Sequence, residues 1–128
     1  MIKFGAMYMG GTFTPKAFAI AAEESGFDSV WCGDHMQHYV DGIATLGCFA
    51  GCTNTITIGT NVLVAPFRPA VTIAKGIASV ALNTDRPVIA GIGVGGEFPA
   101  EFQAVGQDLK TRGAYTNEAI EVIKKLWA

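Results

Sequence analysis

The chain has 128 residues and a formal net charge of −2, with 50% hydrophobic and 16% charged residues. This length is that of one ordinary domain, so residues 1–128 are treated as a single domain with its own core. The absence of a basic tract argues against a nucleic-acid partner, and no apolar run reaches the roughly 18 residues of a membrane span. The start, Met1 to Phe4, leads into a strand and lacks the apolar core of a signal peptide, which predicts a cytoplasmic protein.

Four short apolar runs recur along the chain, and each is followed by a helix-like segment. In chain order, the predicted strands are Ile2–Met9, Ser29–Cys32, Thr57–Val64 and Pro87–Gly93. Their spacing of about 30 residues is that of a βα unit. Repeated βα units indicate a parallel sheet, and a closed barrel needs eight of them. The sequence therefore predicts an α/β fold that amounts to a half-barrel.

Capping residues mark the helices between these strands. Thr14 precedes Pro15 at the start of the first helix, and Gly26 follows its end. Asp41 is the predicted N-cap of a second helix that runs to about Cys52. The remaining helices are predicted at about Ala70–Leu82, Ala100–Val105 and Thr111–Trp127.

Active sites of parallel βα folds lie at the carboxyl ends of the strands. That rule selects the segments Tyr8–Gly11, Gly33–His38, Asn61–Arg68 and Gly93–Glu97. Because these ends meet at the same edge of the sheet, we expect their polar residues to face one common mouth.

Three polar positions at these ends are candidates for chemistry. His35 can donate, accept or transfer protons near neutral pH, with Asp34 anchoring its loop, or the pair is an ordinary turn with a solvated histidine. Asn61 either bonds the edge of a planar heterocycle or satisfies its own backbone, and the second interpretation is favoured from the residues alone. Glu97 is a second proton-transfer candidate or a solvated loop carboxylate.

The glycines at the end of the fourth strand, Gly91, Gly93, Gly95 and Gly96, depart from the dinucleotide-binding fingerprint. No helix starts at them, because Glu97 and a proline follow. They predict either the close approach of a flat ligand to the backbone or relief of crowding within a barrel wall.

Cysteine usage gives a weaker signal. The three cysteines, Cys32, Cys48 and Cys52, do not form the pattern of a disulfide framework. With His35 they have ligand types that suit a metal, but free cysteines in an apolar helix are far commoner. We predict no metal site.

Several segments, taken in order, carry a family resemblance. They are Ala22–Trp31 with Gly33-Asp34-His35, Ile58–Leu63 with Pro66 and Arg68-Pro69, Ala74-Lys75, Arg86, Gly91–Gly95, Glu101-Phe102 with Ala104 and Gly106, Arg112-Gly113 and Glu121–Trp127. This ordered set resembles the amino-terminal half of the bacterial luciferase-like monooxygenase family. The resemblance implies a (β/α)₈ barrel that binds FMN or a deazaflavin coenzyme at the carboxyl end of its strands and acts on a small-molecule substrate.

The resemblance also implies roles for particular residues. In the deazaflavin branch a histidine and a glutamate act near the transferring centre, and His35 and Glu97 match them. The family often has a bulge with a non-proline cis peptide behind the cofactor ring, and Thr60–Val62 matches it. The residues that the resemblance places at the cofactor are Asp34, Thr60, Asn61, Val62, Gly93 and Gly95. In the family, many of the residues that bind the coenzyme's phosphate come from later strands, so weak cofactor binding is expected from this chain alone.

Two functions follow from these observations. The first is a flavin- or deazaflavin-dependent oxidoreductase or monooxygenase, or the amino-terminal part of one. The second is a non-catalytic half-barrel that self-associates through the open edges of its first and fourth strands. Two copies related by a two-fold axis would then close an eight-stranded barrel, so we predict a homodimer.

Overall fold

Strands and helices alternate along the whole chain, and the computed structural model describes all 128 residues. In chain order the elements are β1 Gly5–Tyr8, α1 Pro15–Glu24, β2 Ser29–Cys32, α2 Gly42–Cys52, β3 Thr57–Val64, α3 Ala70–Ala81, β4 Val88–Gly93, α4 Pro99–Ala104 and α5 Arg112–Trp127. Short 3₁₀ turns lie at Ala65–Phe67 and Leu109–Thr111. None of the helices is both long and apolar enough to cross a membrane.

The four strands form one parallel sheet in the order β1-β2-β3-β4, which confirms the predicted α/β half-barrel topology. The first strand is shorter than predicted, because β2 has only four residues and its first, Ser29, already pairs with Gly5. The preceding residue, Phe4, is tied instead to Asp28, whose carboxylate accepts the Phe4 N–H at 2.7 Å. Strands β1 and β4 each have one neighbour, so both outer edges of the sheet are open.

The two faces of the sheet differ in burial. Side chains on the face covered by helices, such as Val30, Ile58 and Thr60, are completely buried. On the opposite face, Trp31 is half-buried and Ile89 is 42% exposed. The Trp31 ring lies across Gly59, where an added Cβ would come within 2.5 Å of the ring. The glycine therefore allows a tryptophan to lie flat on this open face.

The predicted helix starts are confirmed at atomic level. Thr14 Oγ1 accepts the Ala17 N–H at 3.2 Å, and Asp41 Oδ1 accepts the Ala44 N–H at 2.8 Å. Gly26 has a φ of 79°, as expected of the residue that follows a helix end.

Two charged side chains support the turns that lead into β3 and β4. The Glu23 carboxylate accepts the backbone N–H groups of Asn54, Thr55 and Ile56 at 2.6 to 3.0 Å. Burial alone would raise the Glu23 pKa, but these hydrogen bonds outweigh it and lower the pKa to about 2. The Arg86 guanidinium donates to carbonyl oxygens at the end of α2, including that of Ala50 at 3.2 Å. Both contacts satisfy backbone groups that the turns leave unpaired.

Candidate functional site

A cleft of about 270 Å³ opens at the carboxyl edge of the sheet. It is lined by Met7, Met9, Gly33, Asp34, His35, Asn61, Val62, Val64, Phe67, Gly95, Gly96, Glu97 and Glu101. All four strand ends contribute to this lining, as the parallel topology predicts. The structure thus brings His35, Asn61 and Glu97 to one cleft, although they are far apart in sequence.

Asp34 is the anchor of the loop that follows β2. Its carboxylate is completely buried and accepts the N–H groups of Gly42 at 2.9 Å and Val64 at 3.1 Å. Arg68 forms a bidentate ion pair with it, with N–O distances of 2.6 and 2.8 Å, and also bonds Asp41. Four donors therefore occupy the carboxylate within the chain, and this accounts for Asp34 as a structural residue. Contact between Asp34 and a cofactor stays a prediction.

His35 faces the cleft and is held from behind by a second buried carboxylate. Its Nδ1 lies 3.0 Å from Oε2 and 3.3 Å from Oε1 of Glu101. The side chain of His35 is 17% exposed and that of Glu101 only 2%. His35 Nε2 has no hydrogen-bonding partner in the chain and is not among its buried, unpaired polar atoms. Nε2 is therefore the ring atom that remains available to a ligand.

The Glu101 carboxylate also holds the loop backbone. Its Oε1 accepts the N–H groups of Met36 at 2.8 Å and Gln37 at 3.0 Å. Burial alone would raise the Glu101 pKa, but the hydrogen bonds from Gln37, His35 and Met36 outweigh burial and lower it. An ionised carboxylate is consistent with this arrangement, because every neighbour within hydrogen-bonding distance can donate to it.

Three aromatic or imidazole rings lie near His35. Tyr39 and Phe98 have ring centroids 5.0 and 5.4 Å from that of His35, and His38 packs 4.6 Å from Phe98. Tyr39 has a φ of 55°, in the left-handed region that side chains other than glycine seldom adopt. His35 is thus packed among rings, in addition to its contact with the Glu101 carboxylate.

The end of β3 forms one wall of the cleft. The Asn61–Val62 peptide bond is cis, and the β3–β4 register shifts between Thr60 and Leu63. These observations confirm the bulge and cis peptide expected there. Val62 is 38% exposed although the next residues of the strand are buried. Asn61 and Val62 are thus the exposed residues of a mostly buried strand, and both line the cleft.

Of the residues predicted to contact a cofactor, Thr60 and Gly93 lie outside the cleft lining, whereas Gly95 belongs to it. Thr60 is completely buried, and its hydroxyl donates to the Gly91 carbonyl at 3.0 Å. A Cβ on Gly93 would come within 2.2 Å of the Val62 side chain. A Cβ on Gly95, whose φ is 63°, would come within 2.6 Å of Val64. Crowding against β3 therefore accounts for both glycines, and a cofactor contact at Thr60, Gly93 or Gly95 stays a prediction.

The cysteines lie away from the cleft. Cys32 is completely buried among the core residues, and burial raises the pKa of its thiol to about 12. Cys48 and Cys52 are free and half-buried on α2. No group of three or more His, Cys, Asp or Glu side chains is arranged to hold a metal ion.

Sequence reasoning singled out His35 but gave Glu101 no role in the site. Glu101 lies on α4 next to Phe102, and both side chains are buried there. A glutamate within a short buried segment is a usable signal, because such carboxylates are almost never fully buried without partners. Its partner belongs to a loop 66 residues earlier, which local patterning does not reveal.

The cleft fits the ring of a flavin or deazaflavin better than it fits the whole coenzyme. Val62 offers an apolar surface for a planar ring, and Asn61, His35 and Glu97 offer polar groups around it. The volume of about 270 Å³ is slightly below the roughly 300–1,000 Å³ of typical small-molecule sites. No lysine or arginine is among the residues that line the cleft, so the lining offers no permanently charged partner for a phosphate.

Comparison with known proteins places this chain in a family. The model of the luciferase-like monooxygenase family matches residues 14–128. The chain therefore belongs to the luciferase-like monooxygenase family.

Among curated relatives, an F420-dependent glucose-6-phosphate dehydrogenase from Amycolatopsis mediterranei (strain U-32) is 35% identical, over 99% of this chain and 42% of the relative. An enzyme of the same name from Kineococcus radiotolerans (strain ATCC BAA-149 / DSM 14245 / SRS30216) is 38% identical, over 99% of this chain and 41% of the relative. The chain thus spans about two fifths of the length of the curated relatives it matches.

The solved structures that match are also covered over about two fifths of their length. A monooxygenase from Streptomyces bottropensis has a TM-score of 0.88 at 22% identity, over 99% of this chain and 43% of that one. An F420-dependent secondary alcohol dehydrogenase in complex with an F420–acetone adduct has a TM-score of 0.80 at 26% identity, and the match covers 98% of this chain and 42% of that one. The four βα units of this chain therefore correspond to half of a (β/α)₈ barrel of the luciferase-like type.

Proposed function

We propose that this chain supplies the ring-binding half of the active site of a flavin- or deazaflavin-dependent oxidoreductase that acts on a small molecule. The observation that supports it best is the convergence of His35, Glu97 and the Asn61–Val62 bulge on one cleft. When bound, the coenzyme ring supplies the redox chemistry. The chain's own residues hold the ring and move protons beside it.

Each residue has a distinct part in this proposal. Val62 provides the apolar surface against which the ring lies, and Asn61 bonds a polar edge of the ring. His35 Nε2 accepts a proton from the substrate or returns it, and Glu97 is the second proton-transfer group. The deazaflavin F420 is favoured over FMN because the curated relatives with 35% and 38% identity are named as F420-dependent.

A fluorescence titration with F420 and with FMN tests the proposal. We expect quenching at micromolar protein, with weak affinity because no basic side chain lines the cleft. Val62→Ser should weaken binding about fivefold, since it removes on the order of 1 kcal/mol of apolar contact. Val71→Ser is the matched control, because Val71 is 54% exposed on α3 and does not line the cleft. No quenching by either coenzyme at about 100 µM would contradict the proposal.

The open sheet edges support a second part of the proposal, a homodimer that closes an eight-stranded barrel. Phe4 beside β1 is 65% exposed and Ile89 on β4 is 42% exposed. An apolar groove of about 480 Å³ flanks β4; it is lined by Ile77, Ala78, Ala81, Leu82, Val88, Ala90, Leu126 and Trp127. Open edges and exposed apolar surface recruit further strands. Pairing of β4 with β1 of a second copy would cover both edges.

Sedimentation velocity across a dilution series tests this assembly. We expect a dimer that Ile89→Lys dissociates, because the substitution puts a charge on the open sheet face that closure of the barrel would bury. A stable monomer would contradict dimerisation, and a stable dimer without coenzyme binding would favour the non-catalytic, self-associating half-barrel. A cytoplasmic location stays a prediction from the sequence.

A further inference from the structure

The contact between His35 and Glu101 joins the loop after β2 to helix α4, which directly follows the loop that carries Glu97. His35 lies in the loop after β2, and Glu101 lies on α4, four residues beyond Glu97. The two Glu101 oxygens have different partners. Oε1 accepts two backbone N–H groups, while the close partner of Oε2 is Nδ1 of His35 at 3.0 Å.

This arrangement determines which ring nitrogen carries the proton in the neutral imidazole. An ionised carboxylate only accepts hydrogen bonds, so Nδ1 must donate the hydrogen that bridges to Oε2. In the other tautomer, the Nδ1 lone pair would face the Oε2 lone pairs at 3.0 Å without a hydrogen between them. The lowered pKa of Glu101 agrees with an ionised carboxylate here.

We propose that Glu101 is a positioning residue that keeps the neutral imidazole of His35 in the Nδ1–H tautomer, with the basic Nε2 lone pair turned to the cleft. The role of that lone pair as a proton acceptor rests on the proposed function, but the tautomer itself is a property of the chain without coenzyme. The aromatic and imidazole rings packed near His35 are those of His38, Tyr39 and Phe98. None of these three is a carboxylate, and Glu101 is the carboxylate that hydrogen-bonds the imidazole.

Long-range ¹⁵N–¹H correlation spectra of the imidazole nitrogens test the proposal directly. The chain has two histidines, so His38→Gln leaves His35 as the sole source of imidazole signals. At about pH 8.5 an ordinary imidazole is neutral, and we expect the wild-type His35 signals of the Nδ1–H tautomer. A predominant Nε2–H tautomer in the wild-type chain would overturn the proposal without any variant.

Glu101→Gln is the decisive substitution. Its side-chain oxygen can keep the two loop N–H groups, which leaves the amide NH₂ facing Nδ1. The amide then donates to Nδ1, and the tautomer ratio should shift towards Nε2–H by about tenfold or more. Glu101→Asp keeps an acceptor and should retain the wild-type tautomer. An unchanged His35 spectrum in a folded Glu101→Gln chain would refute the positioning role.

Glu97→Gln is the matched control, because it neutralises a cleft carboxylate that makes no hydrogen bond to His35. We expect its His35 spectrum to match that of the wild type. These spectra need no coenzyme, so a failure of coenzyme binding and a failure of the tautomer proposal are separate results.

Discussion

Asp34→Asn should destabilise the chain strongly, because it removes the charge that four donors share. The donors are Gly42 N, Val64 N and the two terminal nitrogens of Arg68, at 2.6 to 3.1 Å. An asparagine oxygen can accept two of them, and its NH₂ group then faces the others. Breaking a buried ion pair in this way costs about 3–5 kcal/mol. The expected loss is nearer 3 kcal/mol, because Arg68 keeps its contact with Asp41.

Urea unfolding followed by circular dichroism measures this loss. Asp41→Asn is the control, since its side chain is 47% exposed and contacts the same arginine. Asparagine caps a helix as well as aspartate does, so the substitution weakens only an ion pair whose acidic partner is half-exposed, and we expect a loss of no more than about 1 kcal/mol. Losses from the two substitutions that agree within about 0.5 kcal/mol would refute the conclusion that the buried carboxylate organises the site.

Three further outcomes are expected. The Glu23 pKa is lowered from 4.5 to about 2, so its stabilisation of the 54–56 backbone is fully present above pH 4.5 and lost as the pH falls towards 2. Glu23→Gln should flatten that part of the pH–stability curve, and a curve identical to the wild type would contradict the assignment. Cys32, with a pKa near 12, should react with iodoacetamide only on unfolding, and mass spectrometry would detect early labelling. Gly91→Ala should lower the melting temperature, because its Cβ would lie 2.2 Å from a carbonyl oxygen of β3, whereas Gly113→Ala, with open space around it, should not.

Local chemistry in the sequence predicted most of the fold. Thr14 and Asp41 identified helix starts because a capping side chain acts on the next turn of its own helix. The first strand was predicted too long for a non-local reason. The apolar run begins at Ile2, three residues before the first residue that has a partner in β2. Pairing begins only at Gly5, which lies opposite Ser29, the first residue of β2. Strand length depends here on the neighbour and not on the residues of the run itself.

The site could be predicted only in part. His35, Asn61 and Glu97 were located by a topological rule that needs only the order of strands and the direction in which they run. The partners that hold the site were missed, because Arg68 and Glu101 lie 34 and 66 residues from the carboxylate and imidazole they contact. Such contacts form only when the strand ends meet at one edge of the sheet, and they leave no periodicity in the sequence.

The loop that carries His35 is held at two points by buried carboxylates, and this bears on how the site can work. Asp34 ties the start of the loop to the end of β3, through the Val64 N–H and Arg68. Glu101 ties the next turn to α4, through the Met36 N–H and His35 itself. Because the donors are already paired, the loop need not reorganise when a ligand arrives, and an imidazole fixed in advance loses little entropy on binding. Weak coenzyme binding would therefore reflect the missing phosphate contacts and not a disordered site, so substitutions at Glu101 should alter the state of His35 more than the affinity for the ring.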